Sequence, residues 1–291
     1  MSKLILGSAQ FGMNYGVSNK IGKIDNQEIK KIFQFSQENS IDTVDTAMSY
    51  GNSEELIGIY NNNLKVISKL PPIPKKCNDI KMWFNLEIKH SLERLKLKKL
   101  HGILLHKPDD LLGENGLKLS ELLNSLKRNG TVSKIGISIY NLSIIDKYLD
   151  LIKIDIIQCP FNIIDQRLIN SDIGAKIHGQ GIEIHARSIF LQGLLLMPSK
   201  ERPEYFQKWS LLWSKYDKFL NFHNISSIQA CIDFILSNEL IDKFVVGIDS
   251  LQHLNEVVGL TKQSPLKNNY KFNGLSSSDP NLINPSLWSI N

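Results

Sequence analysis

What most constrains this chain is a rhythm. Short apolar runs alternate with stretches of helical period about eight times between residues 3 and 259. The runs fall at 3–8, 41–47, 65–70, 101–106, 134–139, 154–159, 182–188 and 244–247. Between them, Asp25-Asn26-Gln27-Glu28 has the form of a capping box, and Ile29, Ile32, Phe33 and Ser36 keep a helical period behind it. Ile80, Trp83, Phe84, Ile88, Leu92 and Leu95 mark a longer helix. Leu119, Leu122, Leu123 and Leu126 mark another, which Asn129-Gly130 should end. Further helices are expected from Ser53 and Ser143, near 172–179, along Ile228, Cys231, Ile232 and Ile235, and over 251–259. Strict alternation requires a parallel sheet with crossover helices, and eight units close it into a barrel. An open dinucleotide-binding sheet would carry GxGxxG in its first turn, and Gly7-Ser8-Ala9-Gln10-Phe11-Gly12 lacks that spacing. The expected fold is therefore α/β, a single-domain (β/α)8 TIM barrel over residues 1–263, with an irregular tail at 264–291 packing on it.

Composition narrows the function classes. The net charge is +5, but the lysines are spread along helices, and the densest group, Arg94-Leu95-Lys96-Leu97-Lys98-Lys99, reads as a solvated helix end. Nucleic acid is not the expected partner. Cys77, Cys159 and Cys231 are far apart and lack CxxC spacing, so neither a disulfide framework nor a metal site is indicated. The amino terminus enters a strand without a signal-peptide pattern, and no apolar run approaches the ~20 residues that span a bilayer. A cytoplasmic protein is expected. The stretch 190–223 is an insertion, in which Trp209, Trp213 and Tyr216 share one helix face suited to packing on the barrel rim.

The strands end in an unusual way. Ile41-Asp42-Thr43-Val44-Asp45 stops on an acid, with Tyr50 on the exit loop; Val66-Ile67-Ser68-Lys69 stops on a lysine, and Ile103-Leu104-Leu105-His106 on a histidine. Ile156-Ile157-Gln158 places an amide within its run. Burying such groups without partners costs several kcal/mol each, so a shared polar site explains them better than packing does. Gly7, Gly12 and Gly16 around Gln10-Phe11 suggest a loop where backbone approaches something closely.

These residues resemble the aldo/keto reductase family. The resemblance rests on Asp45-Thr46-Ala47-x-x-Tyr50-Gly51, the strand ending at Lys69, Leu104-Leu105-His106-Lys107-Pro108 and Gly136-Ile137-Ser138. It continues through Gln158-x-Pro160-Phe161-Asn162, Gln192-Gly193-Leu194-Leu195 and Gly247-x-x-Ser250, from about residue 4 to 260. It implies an NAD(P)H-dependent oxidoreductase that interconverts a carbonyl (aldehyde, ketone or sugar) and an alcohol, with a small-molecule substrate. By motif position the family's catalytic tetrad falls on Asp45, Tyr50, Lys69 and His106. Reduction needs a hydride at carbon and a proton at oxygen. A free tyrosine, with a pKa near ~10, is a sluggish donor. An ammonium beside it stabilises phenolate, and a carboxylate holds that ammonium in place. Tyr50 is thus expected as the acid/base, Lys69 as its tuner, Asp45 as the partner of Lys69, and His106 as the group that orients the carbonyl.

By the same resemblance the cofactor should contact Ser138, Gln158, Arg187, Ser188, Gly193, Gly247, Ser250 and His253. Three departures stand out. Ile139 follows Ser138 where asparagine is usual, so a hydrogen bond is either missing or supplied by Tyr140 or Asn141. Arg187 stands where many members stack an aromatic ring, and its planar guanidinium can clamp cofactor or an acidic substrate. Asp249 replaces a common arginine near the ribose 2′-phosphate site, with His253 or Lys262 as compensating cations. NADPH is ranked first by family habit, with NADH left open by Asp249. The first strand at residue 3 leaves no room for the N-terminal hairpin of many members, which bears on stability. Two other functions are kept beside the reductase: a cofactor-sensing regulatory protein of the same fold, and a Schiff-base lyase using Lys69.

Overall fold

The computed structural model of the chain describes residues 2–17, 19, 22–263 and 270–289. Eight parallel strands pair in sequence order into a closed barrel. They are β1 (Leu4–Gly7), β2 (Thr43–Asp45), β3 (Lys65–Leu70), β4 (Leu100–Leu105), β5 (Val132–Ser138), β6 (Ile156–Pro160), β7 (Glu183–Arg187) and β8 (Lys243–Gly247), and β8 closes on β1 through Leu4–Gly7 against Phe244–Gly247. Helices α1 (Ala9–Gly12) and α2 (Asn26–Glu38) follow β1, α3 (Ser53–Tyr60) follows β2, and α4 (Ile80–Leu95) follows β3. Then come α5 (Gly116–Arg128), α6 (Ile145–Leu149) and α7 (Ile173–Gly179) after β4, β5 and β6. Helices α8 (Ser210–His223) and α9 (Ser227–Leu236) lie between β7 and β8, α10 (Leu251–Lys262) follows β8, and α11 (Pro280–Ile283) lies in the tail. Among the described residues, no helix is long and apolar enough to cross a membrane.

The helical periods bury the faces expected of them: Ile29, Ile32, Phe33 and Ser36 on α2, and Ile228, Cys231, Ile232 and Ile235 on α9. This apolar layer between helices and sheet is distinct from a smaller lumen cluster of Ile5, Ile67, Leu104 and Ile156. Side chains alternate along a strand, so the parity that turns Ile5, Ile67 and Ile156 into the lumen also turns Gly7, Lys69 and Gln158 inward one layer higher. One strand is shorter than its apolar run suggests. Only Thr43–Asp45 is strand within 41–47, and Thr46 and Ala47 already lead into the turn that carries Tyr50.

At the opposite mouth, charged side chains close the barrel floor. Asp42 receives Lys65 at 3.0 Å and Lys243 at 2.9 Å, while Glu183 takes Lys134 and, at 3.2 Å, His185. In the insertion, Trp213 and Tyr216 are buried, with Arg202 stacked over the Trp213 ring at 4.7 Å. Trp209 instead donates to Asp279 of the tail at 3.0 Å. The tail also buries Leu275, Leu282 and Ile283, and the Trp288 ring meets Phe206 edge-on at 4.8 Å. Of the expected tail, residues 264–269, 290 and 291 lie outside the described residues.

Candidate active site

Register brings the polar strand ends to one mouth. Asp45 pairs with Ile67 and with Gly7, Lys69 sits two residues beyond Ile67, and Ser138 pairs with Gln158. Asp45 is the hub. Its Oδ2 receives Lys69 Nζ at 2.5 Å, and its Oδ1 receives Gln158 Nε2 at 2.7 Å. Lys69 gives a second bond to the Thr46 carbonyl at 2.8 Å. Both charges are almost fully buried, at 1% exposure for Lys69 and 4% for Asp45, so each depends on the other. Burial lowers the Lys69 pKa, and Asp45 works against that fall.

The Tyr50 loop is held from below by backbone. Gly51 is left-handed at φ +55°, and a Cβ there would meet the Gly12 carbonyl at 2.3 Å. A Cβ on Gly12 would meet the Tyr50 carbonyl at 1.8 Å. The glycine-bracketed loop after β1 is therefore the seat of the tyrosine loop. Ser53, at the start of α3, ties the two together through Ser8 Oγ at 2.8 Å and Thr46 Oγ1 at 3.1 Å.

With the loop fixed, Lys69 Nζ lies 5.2 Å from the Tyr50 ring centre, and the His106 ring stands edge-on to it at 5.8 Å. Burial raises the Tyr50 pKa, the Asp45 charge adds to this, and Arg187 opposes it. Burial, with Lys69 and Arg187, pushes His106 down to about 4. At neutral pH this mouth thus holds a protonated phenol and a neutral imidazole. Ser49 Oγ lies 3.2 Å from His106 Nδ1, which leaves Nε2 for a ligand.

These groups line a cavity of about 510 Å³. Asp45, Tyr50 and His106 border it, as do Ser138, Gln158 and Arg187. So do Ser188, Gly193, Gly247 and His253. Two expected residues do not. Lys69 is buried beside Asp45, and the Ser250 hydroxyl caps α10 by accepting from His253 N at 3.1 Å. Of the suggested substitutes for the missing asparagine, Tyr140 lines the cavity, whereas Asn141 is exposed and caps the turn at Ser143. Lys262 bonds Asn39 instead of facing the cavity.

Sequence reasoning missed Tyr15, Ser49 and Gln10 as wall residues. The loop after β1 carries Tyr15 to Gln192, whose Nε2 lies 3.3 Å from the phenol oxygen, and Val17 N donates to Gln192 O at 3.1 Å. Loops after β1 and β7 therefore meet beside the cavity. Ser188, Leu191, Gln192 and Gly193 all have positive φ, a concentration of backbone strain typical of ligand-contacting loops.

A large polar ligand such as a nicotinamide dinucleotide suits this wall. Gln10 Oε1, Arg187 Nε and His253 Nε2 are buried polar atoms on cavity-lining residues, and none has a hydrogen-bond partner. Ser138 and Gln158 stand side by side on neighbouring strands. The first turn of α10 is crowded with acid: Asp249 Oδ1 meets His253 Nδ1 at 3.1 Å, and Glu28 Oε1 accepts from Leu251 N at 2.7 Å. Glu28 thus does not close a capping box on its own helix. Asp25 caps α2 alone by accepting from Gln27 and Glu28. Among the described residues, no cluster of His, Cys, Asp or Glu could hold a metal ion.

Comparison with known proteins bears on the family and the fold. The model of the aldo/keto reductase family matches residues 3–271. The fold is similar to that of aldo-keto reductase AKR11C1 from Bacillus halodurans in its holo form, at 21% identity and TM-score 0.71, covering 91% of this chain and 88% of that one. It is also similar to a putative aldo-keto reductase from Pseudomonas aeruginosa, at 19% identity and TM-score 0.65, covering 91% of each chain. Among curated proteins, none matches the chain.

Proposed function

Because the chain belongs to the aldo/keto reductase family, an oxidoreductase family of NAD(P)H-dependent carbonyl reduction, we propose that Tyr50 is the proton donor to the carbonyl oxygen of a small aldehyde, ketone or sugar. The observation that carries this reading is a buried phenol kept protonated beside a neutral imidazole, over a buried Lys69–Asp45 pair. When bound, the nicotinamide ring supplies the hydride.

The residues divide the remaining work. Tyr50 gives its proton to the oxygen as charge develops there. Lys69, 5.2 Å from the ring, steadies the phenolate left behind, and Asp45 fixes the ammonium where it can do so. His106 Nε2, freed by the Ser49 contact on Nδ1, orients the carbonyl. Ser138 and Gln158 are the proposed carboxamide contacts, and the strained turn at Gly193 with Ser188, Gly247 and His253 is the proposed seat of the rest of the dinucleotide. Asp249 and Glu28 together favour a ribose 2′-hydroxyl over a 2′-phosphate, which supports NADH ahead of the NADPH of family habit. The lyase alternative finds little support, because Lys69 is engaged by both Asp45 and Thr46 and lacks access to the cavity.

Titration of protein fluorescence with NADH and NADPH, followed by an aldehyde panel with the tighter one, tests this reading. Tyr50→Phe should lower turnover by about a thousandfold or more while leaving cofactor affinity within about twofold. Retention of most activity in that variant would remove Tyr50 as the acid.

A further inference from the structure

Tyr15 is the hydrogen-bond donor of the cavity that neither the proton transfer nor the proposed dinucleotide contacts use. It stands in the loop after β1, just ahead of Gly16, whose φ of +103° turns the chain. Asn19 holds that turn from inside: its Nδ2 donates to the carbonyls of Tyr15 at 3.1 Å and Gly22 at 2.9 Å, and its Oδ1 accepts from Gly22 N at 2.8 Å. Gln192 holds it from across the cavity, taking Val17 N on its carbonyl at 3.1 Å and giving Nε2 to the Tyr15 phenol oxygen at 3.3 Å. A phenol has a single hydrogen to give, and an oxygen that already accepts from Gln192 sends that hydrogen elsewhere. Among the described residues, none accepts it. Tyr15 lines the cavity together with Tyr50 and His106, and it lies close enough to Tyr50 and Lys69 for their charges to couple. Burial pushes its pKa up to about 12, with Tyr140 and Tyr50 adding to the rise, so it stays protonated at neutral pH. A carbonyl oxygen has two lone pairs, and in the reading given above Tyr50 and His106 Nε2 meet both. A third donor at the same end of the cavity is matched only by a second oxygen on the substrate, and leaving it unmatched is destabilising.

We propose that Tyr15 determines the substrate class: its phenol donates to a hydroxyl on a carbon near the reacting carbonyl, so that hydroxyaldehydes and hydroxyketones are selected over their alkyl counterparts. This rests on the reductase reading given above and narrows its aldehyde, ketone or sugar to the members with a neighbouring oxygen. Gln192 is the positioning residue, because its amide fixes which way the phenol faces. The hold on both the backbone and the ring oxygen of Tyr15 keeps the donor ready before a ligand arrives.

The test uses carbonyl pairs that exchange a hydroxyl for a methyl in place: glycolaldehyde against propanal, hydroxyacetone against butanone, and 4-hydroxy-2-butanone against 2-pentanone. A neighbouring hydroxyl also changes the reactivity of the carbonyl itself. The quantity read is therefore each pair's kcat/KM ratio in the parent divided by the same ratio in Tyr15→Phe, where reactivity cancels. One neutral hydrogen bond predicts a quotient of about threefold to tenfold in at least one pair, entering through KM, and the pair that shows it gives the distance of the hydroxyl from the carbonyl. Saturation-transfer NMR with 1,2-propanediol against 2-butanol, and with 1,3-butanediol against 2-pentanol, reads the same preference without turnover. If no carbonyl is reduced but the diols outbind the simple alcohols in the parent and not in Tyr15→Phe, the reductase reading fails and the hydroxyl site stands. If carbonyls are reduced with a quotient near one in all three pairs, the reductase reading stands and the proposal falls. Loss of NADH and NADPH affinity in Tyr15→Phe would give the hydrogen to the dinucleotide and likewise overturn the proposal.

Discussion

Replacing Lys69 with methionine isolates the energetics of the site. The ammonium lies 2.5 Å from Asp45, and the two residues are 1% and 4% exposed. Its removal leaves the carboxylate buried with only the Gln158 amide, at 2.7 Å, as a side-chain partner. Breaking a buried pair in this one-sided way costs about 3–5 kcal/mol. Unfolding entropy for a chain of 291 residues is roughly 0.6 kcal/mol/K, so Tm should fall by about 5–8 °C. Removing both charges, as in Lys69→Met with Asp45→Asn, should return most of that loss, because the expense lies in the orphaned carboxylate and not in the missing attraction. Thermal unfolding of the parent, both single variants and the double variant at pH 7 gives the coupling. If Lys69→Met melts within a degree of the parent, or the double variant is no more stable than that single one, the pair does not carry the stability assigned to it.

Two further outcomes follow from the charged groups. With His106 held at about 4 and Tyr50 kept protonated by burial, kcat/KM for reduction should be flat from about pH 5 to 9 and fall below that as the imidazole charges; a bell centred near pH 7 would contradict the site electrostatics. At the barrel floor, His185 and Lys134 pull Glu183 down to about 2, and Asp42 is depressed as well through Thr43, Lys243 and Lys65. Both carboxylates have folded pKa values below their unfolded ones, so their stabilisation is complete above about pH 4.5 and is lost as pH falls towards 2. Glu183→Gln should flatten that acid limb in pH-dependent melting curves, and an unchanged limb would count against the assignment.

The sequence carried the barrel because its signal is local and repeated. Ile5, Ile67 and Ile156 fill the lumen as alternation demands, and the same alternation aims Lys69 and Gln158 inward. Tyr15 and Ser49 were not legible, since they reach the cavity from loops whose paths are set by contacts with Gln192 and His106 rather than by any period. Glu28 shows a second limit. Its spacing after Asp25 satisfies a local capping rule, yet the tertiary fold offers it the bare N–H of Leu251, a partner no local pattern indicates. Lys69 differs in degree: its strand was read correctly, but at 2.5 Å from Asp45 it sits beneath the cavity wall, 5.2 Å from the centre of the Tyr50 ring.

The bond between Glu28 and Leu251 spans 223 positions. A chain emerging from the ribosome has Asp45, Tyr50, Lys69 and His106 in hand well over a hundred residues before the wall at α10 is made. The polar strand ends are thus synthesised early, and this side of the cavity is finished only when α10 docks against the first units and the ring shuts.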